Sequence, residues 1–146
     1  MNQQQLSTIY AHLREHENEQ GLPQLLAVSK GQPVEKIRAL YELGHRHFGE
    51  NYAAEMDEKM AALQTQCPEI VWHFIGKIQK RQAKRIRRAA WIHSVGSEKE
   101  AQYLVRGADQ AAIPANILLQ VNIGMEPQKG GFHPDDLMKI RPEVFS

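Results

Sequence analysis

Leu25-Leu26-Ala27-Val28-Ser29-Lys30 is the stretch on which the reading of this chain turns. The run is too short for a helix and too apolar for a loop, and it breaks at Gly31. It reads as a buried strand. It also closes on a lysine. At the desolvated edge of a core an ammonium group is destabilised, its pKa falls, and the free amine becomes a nucleophile able to form a Schiff base. Ordinary loop lysines follow strands too, so the rest of the chain decides how much weight Lys30 carries.

Upstream, Leu6, Ile9, Tyr10 and Leu13 fall at helical spacing, and Gly21-Leu22-Pro23 then interrupts the chain. Downstream, Pro33 suits the first position of a helix whose inner face carries Val34, Ile37, Leu40 and Tyr41 and which stops at Gly44. A weak strand follows at residues 47–49. Tyr52, Met56, Met60 and Leu63 then mark a helix that ends before Cys67-Pro68. The alternation continues with a strand at 70–75, broken at Gly76, and a basic helix over 78–90. After a strand at 91–95, Ser97 and Glu100 form a capping-box pattern ahead of Ala101, Leu104, Val105 and Ala108. The last units are a strand at 117–123, the Gly130-Gly131 loop and a helix opened by Pro134-Asp135-Asp136.

Strands alternating with helices imply an α/β fold of parallel strands joined by crossover helices. The expectation is one domain over residues 1–146, made of a leading helix and five strand–helix units. A closed barrel of eight such units takes about 250 residues. Nothing in the composition points elsewhere. A net charge of +1 gives no global field to steer nucleic acid or a membrane surface. The single cysteine, Cys67, rules out an internal disulfide framework and suits a reducing compartment. The first residues, Met1-Asn2-Gln3-Gln4-Gln5, have no apolar signal core, and no run is long enough to span a bilayer. A cytoplasmic location is the expectation.

In parallel strand–helix folds, ligands sit at the carboxyl ends of the strands. The expected ends carry Lys30, then Gly49-Glu50-Asn51-Tyr52, then His73 with Gly76, then Ser94-Val95-Gly96, then Gln120 and Asn122. An amine among hydrogen-bonding side chains suits a carbonyl ligand.

Five short motifs occur in order: Ala27-Val28-Ser29-Lys30, His47-Phe48-Gly49-Glu50-Asn51-Tyr52, Trp72-His73-Phe74-Ile75-Gly76, Gln120-Val121-Asn122-Ile123 and Lys129-Gly130-Gly131. Together they resemble the pyridoxal phosphate homeostasis protein family, whose barrel is similar to the N-terminal domain of alanine racemase. The resemblance runs from about Leu25 to Leu137. It implies that the chain forms the first five units of a (β/α)8 TIM-type barrel. It implies that Lys30 holds pyridoxal 5'-phosphate as a Schiff base, with Asn51 and His73 beside the cofactor. The implied role is to bind, buffer or deliver the cofactor with little or no catalysis of its own.

The chain departs from the family pattern in two places. After Phe74-Ile75-Gly76, Gln79 is kept, but Arg81 and Gln82 stand where asparagine and lysine are usual. Family barrels also continue through three more units, the late ones carrying a phosphate cup, whereas this sequence ends at Arg141-Pro142-Glu143-Val144-Phe145-Ser146. The expectation is therefore a truncated chain with weak or no hold on the phosphate ester, and with an exposed sheet edge open to self-association.

Two other functional classes follow from the residues. One is a racemase-like enzyme that takes its second acid/base group from a partner chain. The other is a basic module, built on Lys77, Lys80, Arg81, Lys84, Arg85, Arg87 and Arg88, that binds anions or RNA and has lost the cofactor. No aromatic interleaving accompanies that cluster, so a solvated helix face is the preferred reading and nucleic acid is disfavoured. His45 and His47 have strand-like spacing and could share a face, but a metal site lacks a third ligand. Gly124 to Gly131 does not follow a dinucleotide-loop pattern, and there is no Gly-x-Ser-x-Gly nucleophile elbow.

Overall fold

The computed structural model describes residues 2–107 and 115–140. Ala108 and residues 141–146, which enter the sequence reading, lie outside that set. The order is α1 (Gln3–Arg14), β1 (Ala27–Val28), α2 (Val34–Glu42), β2 (His47–Glu50), α3 (Ala53–Leu63) and β3 (Val71–Phe74). A short 3₁₀ turn, Lys80–Gln82, leads into α4 (Ala83–Ile86), β4 (Trp91–Val95), α5 (Glu98–Gly107), β5 (Asn116–Leu119) and α6 (Pro134–Leu137).

All five strands are parallel and lie side by side in chain order, with β1 and β5 at the edges. This is the arrangement of the first five units of a (β/α)8 barrel, and the sheet is not closed. The register aligns Val28 with Gly49, Gly49 with His73, His73 with Trp91 and Trp91 with Asn116. Strand residues point alternately to the two faces. Phe48, Trp72, Phe74 and Ile92 therefore turn to the helix side, where they pack with Ile37, Met56, Ile86 and Leu104. His47, His73 and Trp91 lie on the opposite, open face. Val28 and Leu118 are exposed there.

Local chemistry explains the element ends. The side chains of Asn2 and Gln5 cap α1 reciprocally, each accepting the other's backbone N–H at 2.9 Å. Tyr10 anchors α1 to β2. Its hydroxyl lies 2.7 Å from His45 Nδ1, while His45 Nε2 lies 2.7 Å from the His47 carbonyl. Because a carbonyl only accepts, Nε2 carries the proton and Nδ1 accepts the Tyr10 hydroxyl. His45 thus bridges α1 to the main chain of β2, and the face it was expected to share with His47 does not form. At α5, Glu100 N–H donates to Ser97 Oγ, but the Glu100 carboxylate takes the Gly96 N–H, so the box closes one residue earlier than its usual form.

Some elements differ from the sequence reading. The helix expected over 78–90 is one 3₁₀ turn, Lys80–Gln82, and one α-turn, Ala83–Ile86. Its basic face is partly neutralised: Arg88 Nη1 and Arg85 Nε reach Asp57 of α3 at 2.6 and 3.3 Å. Ile37 and Leu104 are buried and Val34 and Leu40 pack against the core, but Val105 is exposed. It follows Leu104 by one position, about 100° around the helix, and so leaves the buried stripe. The strand expected over 117–123 pairs only as far as Leu119, after which Val121 bridges Phe132 in parallel. Among the described residues no helix is long and apolar enough to cross a membrane.

Candidate functional site

Lys30 stands just past the carboxyl end of β1, in the turn Ser29-Lys30-Gly31-Gln32. The Gln32 N–H closes that turn on the Ser29 carbonyl at 3.0 Å. Gly31 takes a φ of +67°, the left-handed value a type II turn requires at its third position, where a glycine costs least. The turn carries Lys30 out of the sheet, and the residue is exposed. The sequence reading weighed a desolvated amine against a solvated loop lysine at this position; in the turn beyond the strand the residue meets solvent.

The turn is clamped from beneath by α3. Lys59 is 6% exposed, and its ammonium has three acceptors, each at 2.7 Å: the Ser29 carbonyl, Glu50 Oε1 and Glu55 Oε1. Glu50 is fully buried, and its Oε1 also accepts the Ser29 hydroxyl at 2.6 Å. Glu55 Oε1 in turn accepts the Gly31 N–H at 2.6 Å. The hydrogen bond from Lys59 holds the Glu55 carboxyl below its ordinary range; partial burial opposes this and the Gly31 N–H adds to it. Buried charges persist only when paired and hydrogen-bonded; Lys59 meets that condition in full, and Glu50 meets it through Oε1 while its buried Oε2 has no partner among the described residues. The sequence reading missed it. The available signal was that Lys59 falls on the same helical stripe as Met56 and Leu63, both buried.

Asn51 follows the end of β2, level with the Lys30 turn and two residues on from Gly49 on the open face. Its Oδ1 is buried and finds no hydrogen-bond partner among the described residues. The loop after β3 presses on its backbone: a Cβ on Gly76 would lie 1.8 Å from the Asn51 carbonyl oxygen. Only glycine fits there, and the Ser94 hydroxyl holds the Gly76 carbonyl from β4.

His73 sits lower on the same face, in register with Gly49 and Val28. It is the middle rung of a ladder. His47 Nδ1 lies 2.9 Å from His73 Nε2, and His73 Nδ1 lies 2.8 Å from His93 Nε2. Trp91 stacks over His73 at 6.0 Å with 7° between the rings. Burial, with the neighbouring His93, His47 and His45, pushes His73 down to about 4; burial also lowers His47 and His93. A neutral imidazole has one donor and one acceptor, so the ladder runs in one direction from rung to rung. The sequence reading singled out His73 and set His47 beside His45, but did not bring His47 or His93 to His73, since their meeting depends on the register between β2, β3 and β4.

Lys30 and Asn51 thus follow the carboxyl ends of the adjacent strands β1 and β2, and His73 lies within the next strand, β3. Gln120 and Asn122 have a different task from the one expected of them. Gln120 Nε2 donates to the Gly130 carbonyl at 2.8 Å, and Asn122 Nδ2 donates to the Glu126 and Lys129 carbonyls at 2.9 and 3.2 Å. They fold the loop that returns as Gly131-Phe132 beside β5. Among the described residues no cluster of metal ligands forms.

The family model described as "Alanine racemase, N-terminal domain" matches residues 2–144. A pyridoxal phosphate homeostasis protein of Pseudomonas aeruginosa is 40% identical over 121 residues, which cover 82% of this chain and 52% of that one. One from Schizosaccharomyces pombe is 34% identical over 123 residues, covering 82% and 51%. The structure of PipY from Synechococcus elongatus with pyridoxal phosphate bound superposes with a TM-score of 0.75 at 35% identity, over 92% of this chain and 61% of that one. The chain spans about half the length of the curated relatives it matches.

Proposed function

We propose, from the premise that this chain belongs to the alanine racemase N-terminal domain family, that it binds pyridoxal 5'-phosphate at Lys30 and serves in homeostasis of that cofactor rather than in turnover of a substrate. One observation carries the reading. An exposed lysine stands on a clamped glycine turn just past β1, next to the end of β2, where Asn51 Oδ1 is buried without a partner among the described residues, and one strand from His73. The names of the relatives and the cofactor in the PipY structure support it.

The residues present fit the aldehyde end of the group; none of those described is assigned to its phosphate. Its aldehyde, when bound, condenses with a primary amine and releases one water, joining the carbonyl carbon to nitrogen. Lys30 Nζ is the amine so placed, and solvent at the rim receives the released water. Asn51 Oδ1, which is buried and has no partner among the described residues, is an acceptor that a donor on the bound molecule would satisfy once its side chain turned to meet it. Beneath it, His73 and Trp91 offer a flat aromatic floor. His73 is neutral at physiological pH, so it adds no charge to that floor.

Racemisation needs acid/base groups on both sides of the reacting carbon. Both ring nitrogens of His73 are committed to its neighbours. That commitment favours binding over catalysis. The test is to incubate the purified chain with pyridoxal phosphate, reduce with borohydride and map the adduct by mass spectrometry. The expected result is one pyridoxyl group on Lys30, lost in Lys30→Ala. A Lys30→Ala protein labelled to the same stoichiometry would refute the assignment.

A further inference from the structure

The buried ammonium under the Lys30 turn has no place in the function proposed above. An ammonium carries three donors, and Lys59 spends all three within the chain. Two of them lead to the peptide units on either side of Lys30. One goes directly to the carbonyl of Ser29, the residue before it. The other goes to Glu55, whose same oxygen accepts the N–H of Gly31, the residue after it. The third goes to Glu50, which is fully buried and also takes the Ser29 hydroxyl. One side chain of α3 therefore holds both flanks of a turn that belongs to β1. Core packing does not require this, since the stripe that Lys59 interrupts is otherwise filled by Ala53, Met56 and Leu63.

We infer that Lys59, with Glu55, is a positioning residue for Lys30, an inference that rests on Lys30 being the attachment point. With both flanking peptides pinned, the Lys30 backbone keeps one geometry, and its side chain starts from a fixed point. A free turn would have to be ordered at each binding event, and that entropy would be lost from affinity. Neither Lys59 nor Glu55 touches the bound group. Their effect passes through the Ser29 carbonyl and the Gly31 N–H.

The experiment measures affinity of the folded chain of residues 1–146 for pyridoxal phosphate, with borohydride trapping to locate the adduct. Lys59→Met should weaken the Lys30 adduct by about tenfold or more. Because that variant leaves Glu50 without its buried partner and could fail to fold, Glu55→Ala is the companion. It keeps the Lys59–Glu50 pair and removes the Gly31 acceptor, and it should weaken the adduct in the same direction. Glu55→Gln, which can still accept the Gly31 N–H, should restore most of the loss. Leu104→Ala serves as the control, since it lowers stability far from the turn and should leave adduct affinity unchanged. Folded Lys59→Met and Glu55→Ala proteins that bind as the wild type does would overturn the positioning role. So would a Leu104→Ala protein as impaired as they are. If the wild type itself carries no adduct at Lys30, the Lys30 assignment fails, and the positioning role falls with it.

Discussion

Replacing His73 with glutamine should flatten the acid side of this protein's stability curve. His73 is 4% exposed, and its surroundings push its pKa from 6.5 to about 4. The unfolded chain therefore takes up a proton on this residue as pH drops below 6.5, while the folded chain resists until about 4. The unfolded state binds more protons in that window, so stability falls as pH falls through it and is fully present above it. The whole gap corresponds to about 3 kcal/mol, of which about 2 kcal/mol should be lost between about pH 7 and about pH 4.5. Glutamine can offer one donor and one acceptor to His47 and His93 without titrating. The assay is urea unfolding of both proteins at the two pH values, followed by tryptophan fluorescence, with Trp91 stacked on the substituted ring as the reporter. The difference of differences removes the contribution of carboxylates common to both. The wild type should lose about 2 kcal/mol more than His73→Gln on acidification. Parallel pH profiles would show that His73 is not held neutral in the fold, and the account of the ladder would then be wrong.

Two further outcomes test the packing. Leu104→Ala removes a side chain that is 1% exposed in the core between α5 and the sheet, and it should cost about 2–5 kcal/mol in chemical denaturation; a cost below about 1 kcal/mol would place that residue outside the core. Gly76→Ala puts a methyl group 1.8 Å from the Asn51 carbonyl oxygen, so the two loops must part; the expected cost is about 1–3 kcal/mol together with weaker trapping at Lys30, and an unaffected variant would show that the loops are not in contact.

The fold was legible in the sequence because its signals are local. Apolar runs of strand length, helical stripes such as Val34, Ile37 and Leu40, and breaks at Gly31, Gly44 and Gly76 each report on their own few residues. The alternation of those elements implies parallel strands, since parallel neighbours need a crossover between them. The position of Lys30 after β1 was legible for the same reason. Its exposure was not, because it depends on how the turn leaves the sheet.

What the tertiary structure decided is which distant residues meet. Lys59 looks like any helical lysine until α3 packs beneath the β1 turn and brings Ser29, Glu50 and Glu55 within reach of its ammonium. His47, His73 and His93 are separate strand residues until the register sets them in a row. Gln120 and Asn122 look like site residues until the returning loop takes up their side chains. Sequence periodicity determines which face a residue occupies. Strand register and helix packing determine its neighbours, and the neighbours set its charge state, its hydrogen bonds and its task.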